Sequence, residues 1–118
     1  MNLAILRNEK DIRSFAAGET IFDAGEPAEV MYGVVDGTVD IVVDDRIVET
    51  LEPGELLGEM AIIDGQPRSA RAVAASACRL ACIDQRRFLF LVQQTPNFAL
   101  HVMRTLAERL RRRSQTLR

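Results

Sequence analysis

The sequence predicts a mainly β protein with C-terminal helices, in which the strands form a jelly roll, also called a double-stranded β-helix. Three observations lead to this prediction. From about residue 12 to residue 84, short runs of β-branched and aromatic residues are separated by Gly, Pro and Asp turn signals. Within them Val39, Ile41 and Val43 fall on one face of a strand. After Asp84 the apolar residues recur at helical spacing instead.

The predicted strands begin in four runs that each end in a turn signal: FAAGETIFDAG, VMYGVVDG, TVDIVVDD and RIVETLEPG. The DDR at residues 44–46 joins two of these runs as a tight hairpin would. A second β-rich pair, RAVAAS and CRLACID, follows residue 70. Many short strands at regular spacing are typical of an antiparallel sandwich or small barrel of the jelly-roll kind.

Two helices are predicted to follow the strands. Asp84 is placed to cap the first, whose apolar residues are Phe88, Leu91 and Val92, and Pro96 then interrupts the pattern. The second helix begins at residue 97 and carries one apolar stripe, which consists of Ala99, Met103, Leu106, Leu110 and Leu117. We predict a single domain over residues 1–118, with the β roll at about 12–84 and helices at about 85–95 and 97–118.

Composition describes an ordinary soluble globular protein. The 118 residues are 47% hydrophobic and 27% charged, and the net charge of −2 gives no overall attraction to nucleic acid or membrane. The N-terminus has no signal-peptide pattern, and no apolar run approaches the ~20 residues that a membrane-spanning helix needs. Cys78 and Cys82 are expected to be buried, reduced thiols, so we predict a cytoplasmic protein.

The stretch GEMAIIDGQPRSA, residues 58–70, concentrates the chemistry of the chain. Gly58 frees the backbone at the start of a short helix, whose first N–H groups are suited to an anion. Arg68 follows a turn and can meet the same anion, whereas Glu59 can accept a hydrogen bond from a hydroxyl group. A ribose phosphate offers both groups side by side. The alternative is an internal Glu59–Arg68 salt bridge that braces the loop.

The stretch GEMAIIDGQPRSARAV closely resembles the phosphate-binding cassette of cyclic nucleotide-binding domains. Such domains occur in the bacterial catabolite activator family, in protein kinase A regulatory subunits and in cyclic nucleotide-gated channels. The resemblance extends over about residues 13–113. It includes the glycine turns at Gly18, Gly25 and Gly37, the approach LEPGELLGE, and the closing helices in RRFLFLVQQTPNFALHVMRTLAERL.

The resemblance implies a role for each cassette residue. Glu59 would accept a hydrogen bond from the ribose 2′-hydroxyl, and Arg68 would pair with the cyclic phosphate. The remaining cassette residues would supply backbone groups to the short helix or donate to phosphate oxygens; they are Gly58, Met60, Ala61, Ser69 and Ala70. The ligand would be cAMP or cGMP, with cAMP favoured, and no cofactor or metal is implied.

The resemblance also implies contacts to the base. Ile41 and Val48, on facing strands, match positions that touch the base or sugar in some members. Arg113 and Ser114 stand where the catabolite activator has hydroxyl side chains that reach the base. A guanidinium can stack on a purine, so Arg113 could act as a lid. Its other interpretation is a solvated helix end that interacts favourably with the helix dipole.

Two other classes of function fit less well. An enzyme is not predicted, because the only histidine, His101, lies in a helix and no catalytic arrangement can be assembled around it. Direct DNA binding is not expected either, since nothing resembles a recognition helix. The last helix does carry a basic cluster, which consists of Arg104, Arg109, Arg111, Arg112, Arg113 and Arg118.

The sequence therefore predicts a non-catalytic sensor domain in which cyclic nucleotide repositions the final helix, to be read by an effector protein. The alternative is the sensor half of a Crp/Fnr-type transcription regulator or of a gated channel whose effector domain is missing. The apolar stripe could pack on the β roll or pair with a second copy. Because Arg113 falls in its seam, where a charge is costly, we predict a monomer or at most a weak dimer.

Overall fold

The computed structural model describes the backbone of residues 3–116 and the side chains of residues 4–112. Its helices are α1 (Leu3–Arg7), α2 (Met60–Ile63), α3 (Gln85–Gln94) and α4 (Pro96–Thr116). Its strands are β1 (Ile12–Phe15), β2 (Thr20–Phe22), β3 (Val30–Asp36), β4 (Val39–Val43), β5 (Arg46–Leu51), β6 (Leu56–Leu57), β7 (Arg71–Ala74) and β8 (Cys78–Asp84). The extent of a single domain over residues 1–118 stays a prediction.

The strands form two antiparallel sheets that enclose an apolar core. One sheet has the strand order β1-β8-β3-β6 and the other has the order β2-β7-β4-β5. Buried side chains from both sheets pack between them: Phe22, Tyr32, Val34, Val39, Leu51, Leu57, Ala72, Ala74, Cys78, Leu80 and Cys82. The predicted jelly roll with C-terminal helices is confirmed.

A two-residue turn joins β4 to β5. Asp44 and Asp45 have φ angles of 50° and 61°, and positive φ at both central residues is the requirement of a type I′ hairpin turn. The predicted hairpin at residues 44–46 is therefore confirmed. Within this hairpin Ile41 pairs with Glu49 but Val42 pairs with Ile47, so that β5 carries an extra residue at position 48.

A second core lies between the first sheet and the helices. Its buried residues are Leu6, Met31, Val35, Leu56, Ile62, Ala81, Ile83, Leu91, Phe98 and Val102. Helix α1 enters this core through Leu6, which requires a glycine on β3, because a Cβ at Gly33 would lie 2.4 Å from Leu6 Cδ2. Beside it the buried Glu9 carboxylate accepts two 2.7 Å hydrogen bonds from Arg87 of α3.

The ends of α3 agree with the sequence, whereas the packing face of α4 does not. The Asp84 side chain caps α3 by accepting a 2.7 Å hydrogen bond from the Arg87 amide. The predicted interruption is present at Thr95, and Pro96 begins α4 one residue before the predicted start, where its fixed φ is compatible with a first helical position. Buried Phe98 and Val102 pack α4 on the β roll.

The predicted apolar stripe of α4 is therefore wrong as the face that packs on the roll. Met103 is 58% exposed and Leu110 is 64% exposed, and Leu117 lies outside the described residues. Of the stripe residues that the structure describes, Leu106 packs against the second core as a partly buried residue. Phe98 decides the rotation of the helix, because burying its large ring buries Val102 one turn later.

Cys78 and Cys82 are buried and unpaired, as predicted, and burial raises the pKa of both thiols. Over the described residues, no helix has both the length and the apolar character needed to cross a bilayer.

Candidate functional site

A cavity of about 800 Å³ opens between the β4–β5 hairpin, residues 57–70 and the C-terminal half of α4. It brings together every residue that the sequence analysis assigned to ligand binding, apart from Arg113: Ile41, Val48, Gly58, Glu59, Met60, Ala61, Arg68, Ser69 and Ala70. The side chain of Arg113 lies outside the described residues, although its backbone belongs to α4.

The loop that forms the inner end of the cavity is held by its own backbone. Gly58, with φ of +73°, turns the chain from β6 into the single-turn helix α2, and Ala61 N–H donates to the Gly58 carbonyl at 3.2 Å. After α2, the backbone N–H of Gln66 donates to the Asp64 carboxylate at 3.1 Å. The loop then returns beside residues 25 and 26, where both backbone groups of Arg68 make hydrogen bonds of 2.7 and 2.9 Å.

Arg68 is 9% exposed and points inward from this loop. Its Nη1 donates to the Gly58 carbonyl oxygen at 3.2 Å, and its guanidinium carbon lies 4.2 Å from the centroid of the Phe22 ring. Burial lowers the pKa of this guanidinium. Among the side chains that the structure describes, no carboxylate forms an ion pair with Arg68. The alternative of a Glu59–Arg68 salt bridge is therefore wrong.

Glu59 precedes α2 and is 2% exposed. Its Oε1 accepts a hydrogen bond from Arg109 Nη1 on α4. Its Oε2 is buried and has no hydrogen-bond partner among the residues that the structure describes. A buried carboxylate oxygen without a donor is costly, since the interior has removed its water. The geometry thus offers one acceptor at the cavity to a donor from outside the chain.

Arg109 is the residue that the sequence analysis missed, because it was counted only as part of a basic helix. Its Nη2 donates to the Leu56 carbonyl oxygen at 2.8 Å, and its Nε lies 3.5 Å from Glu49 Oε2. Burial lowers the pKa of the Arg109 guanidinium, but the carboxylates of Glu59 and Glu49 outweigh this effect and hold the pKa above its ordinary value.

Glu49 makes a second ion pair with the same helix, at 3.0 Å from its Oε1 to Arg112 Nη1. We call Glu49, Arg109 and Arg112 the helix-anchoring cluster. The signal that could have found it is a pair of arginines three residues apart, which share one face of a helix. Sequence alone does not show which strand that face meets.

The remaining walls of the cavity are apolar. Ile41, Val43 and Val48 line it from the β4–β5 hairpin, and Leu106 and Leu110 line it from α4. Several of these side chains are exposed, although aliphatic side chains gain free energy when they are covered. The two walls suit a flat apolar group, such as a purine ring, held between strand and helix.

His101 lies outside this cavity lining. Its Nε2 is 3.1 Å from the Gly54 carbonyl oxygen, which can only accept, so Nε2 carries the proton. Burial lowers the pKa of this imidazole. Among the described residues no three His, Cys, Asp or Glu side chains are grouped as metal ligands would be.

The fold and cavity define a jelly-roll domain whose C-terminal helix closes one side of a polar and apolar pocket. The family model of the cyclic nucleotide-binding domain matches residues 12–95, and the chain belongs to this family. The resemblance noted in the sequence is thereby confirmed.

The relatives of the chain include regulators of transcription. It is 34% identical over 110 residues to the cAMP-activated global transcriptional regulator CRP of Pasteurella multocida, a match that covers 88% of the chain and 53% of that protein. The crystal structure of Thermus thermophilus catabolite activator protein is similar with a TM-score of 0.81 and 31% identity, over 98% of the chain and 55% of that chain. The chain spans about half the length of such relatives.

A structure from a cyclic-GMP-dependent signalling pathway that regulates bacterial phytopathogenesis is also similar. Its TM-score is 0.72 and its identity 33%, over 84% of the chain and 82% of that chain. The similar proteins therefore include one whose name refers to cAMP and one whose title refers to cyclic GMP.

Proposed function

We propose that the chain binds a cyclic nucleotide in this cavity as a non-catalytic sensor domain, with cAMP favoured and cGMP possible. The observation that supports this most directly is the buried Oε2 of Glu59, to which no group in the described part of the chain donates a hydrogen bond. Glu59 Oε2 would accept a hydrogen bond from the ribose 2′-hydroxyl. Glu59 would then hold the ribose through Oε2 and Arg109 through Oε1, so that one carboxylate links ligand and helix.

The cyclic phosphate would lie at the inner end of the cavity, against Arg68. This buried guanidinium is oriented by Gly58 and Phe22 and makes its hydrogen bond to a neutral carbonyl, so its positive charge is not neutralised locally. Among the described lining residues, the charged groups are three arginines and two glutamates. The excess of one positive charge matches the single negative charge of a cyclic phosphate diester.

Backbone and hydroxyl groups of the loop would complete the phosphate site. Ser69 and Ala70 line the cavity directly after Arg68 and would donate from their N–H groups and from the Ser69 hydroxyl. Gly58, Met60 and Ala61 would shape the short turn beneath the ligand. The Ala61 amide already donates to Gly58, so we assign it to the turn itself and not to the phosphate.

The purine would lie between the two apolar walls. Ile41 and Val48 would contact it from the hairpin, and Leu106 and Leu110 from α4. An apolar slot reads the shape of a base more than its hydrogen-bonding edge, so discrimination between adenine and guanine is expected to be modest. The cAMP-activated relative supports adenine. A lid role for Arg113 stays a proposal.

We further propose that the chain is a cytoplasmic regulatory domain and a monomer or weak dimer. Nucleotide would reposition α4 through Glu59 and Arg109, and an effector protein or effector domain would read the change. A sensor half of a larger transcription regulator or channel is the second candidate, which the partial coverage of the relatives supports. Sedimentation with and without nucleotide tests the oligomeric state.

Calorimetric titration with cAMP, cGMP and 5′-AMP tests the central proposal. Saturable binding of a cyclic nucleotide is expected, with 5′-AMP weaker because its phosphate monoester carries up to about two negative charges. Absence of saturable binding by both cyclic nucleotides would contradict the proposed function. Tighter binding of cGMP than of cAMP would keep the site but reverse the preference.

A further inference from the structure

Glu49 lies in a strand whose other side chains are mostly open to solvent. On β5 the residues from Arg46 to Val48 are exposed, as is Thr50, whereas the side chain of Glu49 is only 15% exposed. It lies on the same face of β5 as the buried Leu51 and lines the cavity. A charged side chain that is turned inward from an edge strand requires partners, since desolvation without pairing is costly.

Among the described side chains, the two ion-pair partners of Glu49 are both on α4. Oε1 lies 3.0 Å from Arg112 Nη1, and Oε2 lies 3.5 Å from Arg109 Nε. Arg109 at the same time contacts Glu59 and the Leu56 carbonyl, so this one guanidinium ties the helix both to β5 and to the stretch of residues 56–59. Without Glu49, Arg109 and Arg112, which lie one helical turn apart, would each lose an ion pair with β5.

We propose that Glu49 is the positioning residue that holds the C-terminal half of α4 against the cavity. Apolar packing anchors the N-terminal half, through Phe98 and Val102. Beyond Leu106, Leu110 is exposed, so the ion pairs of Glu49 replace apolar contacts as the attachment. The helix therefore has a permanently packed half and a half held by charges, which salt can screen.

Hydrogen exchange of the full chain without nucleotide tests this assignment. In Glu49→Gln the amides of residues 106–112 are expected to exchange about tenfold faster, because charge-assisted hydrogen bonds become weaker neutral ones. Residues 98–102 should keep their protection. The matched control is Glu108→Gln, which removes an exposed carboxylate from the same helix and should change little.

Salt gives a second measurement. In the wild type, exchange of residues 106–112 should quicken as ionic strength rises from about 0.1 M to about 1 M, and in Glu49→Gln this dependence should largely vanish. Arg112→Gln removes the Glu49–Arg112 ion pair from the side of the helix. It should also make the exchange of residues 106–112 faster, but by less than Glu49→Gln does. Unchanged exchange in both Glu49→Gln and Arg112→Gln, or equal changes in Glu108→Gln, would overturn the proposal.

A kinetic arm connects the cluster to ligand binding, and this arm rests on the proposed function. Displacement of a fluorescent cyclic nucleotide should be several-fold faster from Glu49→Gln than from the wild type, while Glu108→Gln releases it at the wild-type rate. A wild type that binds no cyclic nucleotide would refute the proposed function. The exchange comparison would still decide the role of Glu49, because it needs no ligand.

Discussion

The two ends of the cavity hold their arginines in different ways. At the inner end, Arg68 is buried, donates to the Gly58 carbonyl, stacks on Phe22 and lies 5.8 Å from the centroid of the Tyr32 ring. At the outer end, Arg109 and Arg112 are neutralised by carboxylates from other segments of the chain. Arg68 is thus held in place without an ion pair among the described side chains. Arg109 and Arg112, in contrast, form ion pairs that attach α4 to the β roll.

This difference separates binding strength from response. A buried, pre-oriented guanidinium can interact strongly with an anion, because little solvent screens the pair and no internal partner must be displaced. An ion-paired cluster whose side chains are 15%, 25% and 50% exposed contributes less free energy and is weakened by salt, so we expect it to open more readily. We therefore expect substitutions at the inner end to change affinity most, and substitutions at the outer end to change the position of the helix.

Arg68→Ala should have the largest effect on binding. Loss of a desolvated charge pair with a phosphate costs about 2–5 kcal/mol, which corresponds to roughly thirtyfold to several thousandfold weaker binding. Calorimetry with cAMP measures this loss. Because no carboxylate among the described side chains depends on Arg68, the fold should survive, as a cooperative thermal transition would show.

Arg71→Ala is the matched control for this prediction. Arg71 is an exposed arginine three residues along the chain, paired with Asp23 at 3.5 Å and not lining the cavity. The Arg71→Ala protein should bind cAMP with the affinity of the wild type. Near wild-type affinity in a folded Arg68→Ala protein would remove the inner end from the binding site.

Glu59→Gln should weaken binding less, by roughly tenfold to a hundredfold, because a charged acceptor becomes a neutral one. The informative measurement compares cAMP with its 2′-deoxy analogue on both proteins. The wild type should lose affinity for the analogue, and the variant should lose little more. If both proteins discriminate equally between the two nucleotides, Glu59 acts on the helix through Arg109 and not on the ribose.

Gly58→Ala should have the smallest effect on nucleotide affinity. It distinguishes backbone strain at a positive φ from a steric contact with Arg68. A Cβ there would lie 2.4 Å from Arg68 Nη1, and its φ of +73° already disfavours alanine by roughly 1–2 kcal/mol. Gly65→Ala has the same kind of strain at φ of +68°, but no heavy atom of the described residues lies within 4 Å of its Cβ. Both variants should melt at lower temperature, but only Gly58→Ala should also lose affinity. Equal nucleotide affinities of the Gly58→Ala and Gly65→Ala proteins would show that the Arg68 side chain moves away from the new methyl group without loss of binding.

The sequence was sufficient for the roll and for the inner end of the cavity. Short strands with regular turns predict a jelly roll locally, and the cassette places Gly58, Glu59 and Arg68 within one contiguous stretch. Their spatial proximity follows from chain connectivity over a dozen residues. The roles of these residues as ligands stay predictions until nucleotide binding is measured.

The outer end could not be predicted, because it depends on how α4 is rotated. Ala99 and Met103 make as regular a stripe as Phe98 and Val102, and only the shape of the roll decides which pair is buried. That choice then turns Arg109 and Arg112 toward Glu49. A contact between residues sixty positions apart needs both the helix rotation and the strand register, and neither is encoded locally.

The extra residue at position 48 has a consequence for association between chains. β5 is an edge strand with exposed Ile47 and Val48, which is the kind of surface that can template pairing with a second chain. The bulge interrupts the regular ladder of this edge, Arg46 places a charge at its start, and α4 is attached beside it through Glu49. The strand thus presents apolar side chains to the cavity without offering a flat, continuous edge on which aggregation could begin.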